Sequence, residues 1–352
     1  MIQYFNKAIG PYLSFNQKSY LYFGGTSYLS LQTHYRFKRW LLKGILKYGA
    51  HHGASRQSNI RLSLFEKVEK VLAQQTKAPR ALLSSSGYLA GQMVAKQFLN
   101  DPFVPIYLPG THSALKIDPN AVETNYDSLE AKLNELLALK KQPVIFLDSI
   151  DFKGRHYPEF RPLKGIDLSS CILVVDDSHA LGICGLNGEG SYEILKQLKP
   201  RELIVTASMG KGMGISGGIV LCEDHRAVVI MASATYGGAS PAALAGLYAY
   251  IEAPEIYQKQ LLKLHKNTKR FMKGLDCPEF FDNHLGHPAF GFQSPKLSKE
   301  LKEAGFVVTN FPYPTEKDPI MSRIVISAGH KKKDIESLCK AINTLIPSLK
   351  QA

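Results

Sequence analysis

Short runs of consecutive apolar residues alternate along this chain with longer stretches in which apolar positions recur every three or four residues. Six of the short runs read as strands: Ala81–Leu83, Pro105–Leu108, Val144–Leu147, Cys171–Val175, Leu203–Thr206 and Ile219–Cys222. Most are apolar at successive positions, as in strands covered on both faces. Between them the period changes. Leu64, Val68, Val71 and Leu72 make one helical stripe, Leu129, Leu133, Leu136 and Leu137 a second, and Ile335, Leu338, Ile342 and Leu345 a third. Asp127 or Ser128 can cap the second helix, and Asp334 lies near the positive end of the third. Strands alternating with helices predict an α/β fold around a largely parallel sheet.

Two places interrupt this rhythm. The first residues mix aromatics without a period and read as an N-terminal arm, 1–38. Near Gly237–Pro241, glycine, serine and proline break the pattern, so a large domain is expected over 39–236 and a smaller one over 237–352. Residues Ala227 to Ile251 carry no charge, but the break inside them splits any spanning helix into short halves, and no membrane segment is expected.

Composition changes little: 352 residues, 45% hydrophobic and 21% charged, describe an ordinary globular chain. The net charge of +13 suits either an anionic partner or a solvated cationic surface. No arginine-rich arm, zinc-finger spacing or RNA-binding signature accompanies it, so no nucleic-acid partner is expected. Five scattered cysteines without a Cys-x-x-Cys pair argue against a disulfide framework and a structural zinc site, and for a cytoplasmic setting.

Candidate chemistry gathers where the strands end. Leu83-Ser84-Ser85-Ser86-Gly87-Tyr88 carries a strand into a helix whose first amides can receive a phosphate, and Ser86 equally suits a helix cap. Pro109-Gly110-Thr111-His112-Ser113 sets a histidine after the next strand. In Val174-Val175-Asp176-Asp177-Ser178-His179, an apolar strand delivers Asp176 at its carboxyl end, where ligands bind in open parallel sheets. A carboxylate there can keep a pyridinium nitrogen protonated, with His179 donating to a phenolic oxygen. A metal-binding aspartate with a structural histidine is the other reading. Ser208-Met209-Gly210-Lys211-Gly212-Met213-Gly214 holds a lysine between glycines, and such an exposed amine can form an imine with an aldehyde cofactor. A phosphate loop or a plain turn lysine would look similar, although the Walker A order is absent. Phosphate site, ring stacker, acid and lysine, in this order and all at strand ends, form the constellation that pyridoxal phosphate chemistry requires.

With these segments the chain resembles the α-oxoamine synthase family of fold-type I pyridoxal phosphate enzymes, from about Tyr22 to about Leu345. Tyr48–Arg56 is similar to the family's G-x-G-x-x-x-S-R stretch, Leu83–Ala90 to its S-G-Y-x-A segment, and Thr111-His112-Ser113 to N-H-A. Ser149-Ile150-Asp151 is similar to S-M-D-G, Asp176–His179 to D-E-A-H, Ser208–Lys211 to T-L-G-K, and Arg323–His330 to R-L-x-x-x-A-x-H. The resemblance implies a seven-stranded, mostly parallel central sheet in a large domain, with a smaller α+β C-terminal domain. It implies pyridoxal 5'-phosphate as cofactor and a homodimer with its active site at the interface. Lys211, Asp176, His112 and His179 become the catalytic set, and Ser86, Gly87, Tyr88, Ser149 and Ser208 further cofactor contacts. Arg323 would grip a substrate carboxylate, a task suited to a planar bidentate donor. The implied reaction condenses a small α-amino acid with an acyl-CoA to give an α-amino ketone. An aminotransferase on the same fold and a non-catalytic family member are the alternatives. Three departures touch the substrate side: Thr26–Ser30 replaces N-[DN]-Y-L-G, Phe152 replaces the glycine of S-M-D-G, and Ser240-Pro241 replaces Pro-Pro.

Overall fold

A strand buried on both faces needs apolar side chains at successive positions, and the uninterrupted apolar runs fold accordingly. In chain order the strands are β1 (Tyr12–Phe15), β2 (Lys18–Phe23), β3 (Arg80–Ser84), β4 (Phe103–Tyr107), β5 (Val122–Glu123), β6 (Gln142–Asp148), β7 (Ile172–Asp176), β8 (Glu202–Ser208), β9 (Gly218–Cys222), β10 (Ala289–Phe292), β11 (Phe306–Pro312) and β12 (Ile320–Val325). The helices are α1 (Tyr35–Tyr48), α2 (Ser63–Thr76), α3 (Gly87–Ala95), α4 (Leu129–Ala138), α5 (Tyr192–Lys196), α6 (Asp224–Met231), α7 (Ala234–Gly238), α8 (Leu244–Glu252), α9 (Pro254–Gly274), α10 (Pro295–Glu303) and α11 (Lys332–Lys350). The computed structural model describes residues 3–117, 122–151, 160–284, 286–313 and 315–350; Phe152 lies outside them.

The chain divides into two units. One runs from Arg39 to Ala253, apart from a short stretch after Asp151, and is built on a seven-stranded sheet in the order β3-β9-β8-β7-β6-β4-β5. Its strands run parallel except β9, which is antiparallel to both neighbours. All six expected strands are present, as β3, β4, β6, β7, β8 and β9. Leu82, Val94, Phe98, Phe146, Val174, Ile204 and Val220 form the core between the sheet and α3. The uncharged stretch supplies the end of α6, then α7 and α8, and no described helix is long and apolar enough to cross a membrane. This unit extends past the expected boundary at 236 because α8 stays with it. A Cβ on Gly44 of α1 would lie 2.9 Å from the Ala245 backbone, so helix meets helix there without room for a side chain.

The other unit joins Met1–Lys38 to Pro254–Ala352 around a five-stranded sheet, β1-β2-β11-β12-β10. The expected arm is in fact a hairpin: β1 pairs antiparallel with β2, and β2 pairs parallel with β11. Phe23 anchors it in a core with Phe271, Phe290, Phe306, Ile324, Leu338 and Ile342. Asp334 is buried at the start of α11, where it accepts from the Lys331 amide at 2.8 Å and the Tyr12 hydroxyl at 2.6 Å. Ser128 stands at the head of α4 without capping it; the Asn125 side-chain Oδ1 instead accepts from the Ser128 amide and hydroxyl.

Candidate active site

Parallel pairing in register brings Asp148, Asp176 and Thr206 side by side at the carboxyl ends of β6, β7 and β8. Asp176 is 6% exposed, and its Oδ1 accepts from the Ser178 amide at 2.8 Å. The Ser178 hydroxyl in turn accepts from the Ser208 amide at 2.8 Å, tying the turn after β7 to the end of β8. His179 is buried one turn further, with Nε2 3.0 Å from Lys211 Nζ. His112 follows β4, where its amide donates to Asp148 Oδ1 at 2.9 Å. Its Nδ1 accepts from the Ala114 amide at 3.1 Å, so the neutral ring carries its proton on Nε2. Burial lowers the pKa of the His112 imidazole; Asp176 pulls it back up, and Lys211 pushes it further down. Asp176 and Lys211 therefore both act on His112, and Lys211 also meets His179.

A second cluster forms where β3 runs into α3. Ser86 is the N-cap, its hydroxyl accepting from the Leu89 amide at 3.1 Å. The Gly87 and Tyr88 amides belong to the first turn, whose donors have no partner inside the helix and favour an anion. A Cβ on Gly87 would stand 2.6 Å from the backbone of Ser208, so this close approach requires glycine. The Ser208 hydroxyl accepts from the Gly210 amide at 3.2 Å. Tyr88 is 53% exposed, its ring edge-on to His112 with centroids 6.2 Å apart. Behind β3, Glu69 accepts from the Leu83 amide at 2.8 Å and pairs with Arg56 at 2.7 Å, bracing the strand that ends at this cap.

Beneath the sheet edge lies Asp177. It accepts from the Ser149 hydroxyl at 2.5 Å, the Ser191 hydroxyl at 2.6 Å and the Ser191 amide at 3.0 Å. Burial pushes its carboxyl up to about 6, against those hydrogen bonds, which hold it down. Gly190 closes the turn at φ 76°, and a Cβ there would meet Asp177 Oδ2 at 2.2 Å. Ser149, expected to be a cofactor contact, is fully buried and donates its hydroxyl to Asp177.

Lys211, Asp176, His179, His112, Ser86, Gly87, Tyr88 and Ser208 all belong to the seven-stranded unit. Arg323 belongs to the other. It is buried on β12 opposite Gly291 and Thr309, close enough to Tyr22 to oppose the upward push of burial on that phenol. Sequence reasoning missed Asp148, Ser178 and Ser191. Asp148 carried the same signal as Asp176, an acid ending an apolar run, but was passed over for the serine beside it. Among the described residues no group of three or more His, Cys, Asp and Glu side chains is placed to hold a metal ion.

The donors fit pyridoxal phosphate by their chemistry. Helix amides and Ser208 suit a phosphate, Asp176 a protonated ring nitrogen, His112 a ring face, His179 a phenolic oxygen, and Lys211 an aldehyde. Comparison with known proteins points the same way. The family model "Aminotransferase class I and II" matches residues 163–342. An 8-amino-7-oxononanoate synthase from Vibrio campbellii is 26% identical over 368 aligned residues, spanning 98% of this chain and 95% of that protein. Among solved structures, a serine palmitoyltransferase from S. paucimobilis with PLP and myriocin bound superposes with a TM-score of 0.82 at 16% identity, covering 99% of this chain and 92% of that one. An 8-amino-7-oxononanoate synthase from Francisella tularensis gives 0.71 at 19% identity, covering 94% and 99%. These two superpositions establish the fold.

Proposed function

This chain belongs to the aminotransferase class I and II family, and from that premise we propose how its residues serve a pyridoxal phosphate-dependent C-acyltransferase of the α-oxoamine synthase type. The substrates in this reading are a small α-amino acid and an acyl-CoA, and the product is an α-amino ketone. Lys211 within 3.0 Å of His179, on the sheet edge that carries Asp176, is the observation that supports it best.

Pyridoxal phosphate, when bound, supplies an electron sink for the amino acid's α-carbon. The chain's own residues then have separable tasks. The α3 amides and the Ser208 hydroxyl hold the phosphate end. Asp176, oriented by the Ser178 amide, presents a fixed carboxylate. His112 stays neutral and offers its flat ring, because burial and Lys211 both disfavour its cation. Lys211 Nζ takes up or gives back a proton, with His179 Nε2 as its neighbour. Arg323, following the resemblance, is assigned the amino acid's carboxylate through its two-pronged guanidinium. A homodimer and a cytoplasmic setting go with this reading; all five cysteines are free thiols.

A thiol-release assay tests the reaction. Glycine, alanine and serine are crossed with short and long acyl-CoAs in the presence of pyridoxal phosphate. At least one pair is expected to release free CoA, and Lys211→Ala to lose that turnover by ~10³-fold or more together with the cofactor's bound absorbance band. Amino-group exchange with a keto acid and no thiol from any pair would instead make the chain a transaminase.

A further inference from the structure

From Arg39 onward α1 belongs to the seven-stranded unit, and its two faces are unlike. The inner face is settled. Gly44 lies against the Ala245 backbone, and the rings of Trp40 and Tyr48 pack on Tyr248 with centroids 6.2 Å and 5.7 Å apart. A helix fixed on one side in this way ordinarily turns polar residues outward. Instead Leu42, Ile45 and Leu46 are 61%, 46% and 86% exposed, at the i, i+3, i+4 spacing of one helix face. A single exposed leucine is ordinary, but three apolar side chains on one exposed face form a ridge that marks an interaction surface.

Cations border the ridge. Lys43 Nζ lies 4.3 Å from the centre of the Trp40 ring and Lys47 Nζ 5.2 Å from that of Tyr248, so each exposed lysine is held beside the leucines. Arg36, Lys38 and Arg39 precede them, and the helix carries no acidic residue. A second copy seated with α1 on α1 would set these cations against their own copies. The pattern asks for a partner that accepts apolar side chains and offers negative charge beside them. The boundary of an anionic bilayer does both: leucines enter the acyl region, while lysine stems lie along it and their ammonium groups reach the phosphates.

We propose that the Leu42–Leu46 ridge of α1, with the lysines that flank it, is a peripheral docking surface for an anionic membrane. The helix lies on the bilayer and does not span it. None of these residues is assigned to the cofactor or the substrates, so the proposal stands apart from the reaction described above.

Vesicle co-sedimentation of the full-length chain tests it, with phosphatidylcholine alone and with about 30% phosphatidylglycerol added. Wild type is expected to bind the mixed vesicles at least ~10-fold more tightly than phosphatidylcholine alone, and to be released by salt. Leu42→Ser/Leu46→Ser and Lys43→Gln/Lys47→Gln are each expected to weaken that binding ~10-fold or more. Both variants change exposed side chains and should keep the wild-type circular dichroism, which separates lost docking from lost folding. Wild type that stays in solution with the mixed vesicles would overturn the proposal. So would binding that the lysine variant loses and the leucine variant keeps, because any anionic surface attracts a chain of net charge +13 in that way. Equal binding to both vesicle types would remove the need for negative charge and overturn it as well. A wild-type dimer that falls apart in the leucine variant, followed by sedimentation velocity, would give the ridge to a second copy instead.

Discussion

His179 and His330 are both buried, and what surrounds each separates the two units of the molecule. In the seven-stranded unit, His179 faces Lys211, a second titratable side chain, at the edge where the strands end. In the five-stranded unit both His330 nitrogens are taken by backbone: Nδ1 accepts from the Ser327 amide at 3.0 Å and Nε2 donates to the Tyr22 carbonyl at 2.9 Å. Its ring stacks on Phe23, centroids 4.0 Å apart, and Asn267 bonds the carbonyls of Ser327 and His330. One histidine meets a side-chain amine; the other is a brace between the hairpin and the C-terminal segment. Burial alone therefore says little about a polar residue's task, and the kind of partner it meets says much.

Four measurements bear on this contrast. The largest effect is expected inside the brace. Phe290 is fully buried with its ring 4.7 Å from that of Phe271, so Phe290→Ala should cost about 3–5 kcal/mol in urea unfolding. A loss under about 1 kcal/mol would show that the five-stranded unit is not held by this core. Next comes pH. Burial lowers His330 to about 4, below its ordinary 6.5, so the folded state keeps it neutral while the unfolded chain takes up a proton. Its contribution is complete above about 6.5 and disappears as pH falls towards 4, about 3 kcal/mol in all. Urea midpoints measured at several pH values should show this slope in wild type and a flatter one in His330→Gln; equal slopes would assign the acid sensitivity elsewhere.

The other two changes fall in the seven-stranded unit. Gly87→Ala forces a methyl group against the Ser208 backbone and should cost about 1–3 kcal/mol, with pyridoxal phosphate affinity falling alongside stability. Calorimetry showing an unchanged affinity would detach this contact from the anion site. Smallest is Ser149→Ala, which deletes one of the hydrogen bonds to Asp177 and should cost about 1 kcal/mol of stability. A tenfold drop in cofactor affinity at wild-type stability would make Ser149 a cofactor contact rather than a structural serine.

How much of this was legible beforehand follows from which interactions are local. β6, β7 and β8 announced themselves as apolar runs, and their polar endings led to Asp176, His179 and Lys211, because a parallel strand and the turn after it are contiguous in sequence. Asp148 was legible by the same rule, but its meaning depends on facing Asp176, and register between strands is not written in either strand alone. The five-stranded sheet stayed hidden. β1 and β2 are short and half exposed, and their pattern completes only when β11, from the far end of the chain, lies beside them. Ser149 shows the same limit: its place in the chain does not say which way its hydroxyl turns, and that hydroxyl turns to Asp177.

That pairing of β2 with β11 also sets a timetable for biosynthesis. Leu21 to Phe23 leave the ribosome some 280 residues ahead of their partners Phe306 to Val308. At roughly 5–20 residues per second the hairpin waits about a quarter of a minute to a minute, apolar and unmatched, while the Lys211-bearing sheet can already assemble. The hairpin is thus exposed to aggregation until β11 emerges, and chaperone dependence should track the speed of translation between these two strands.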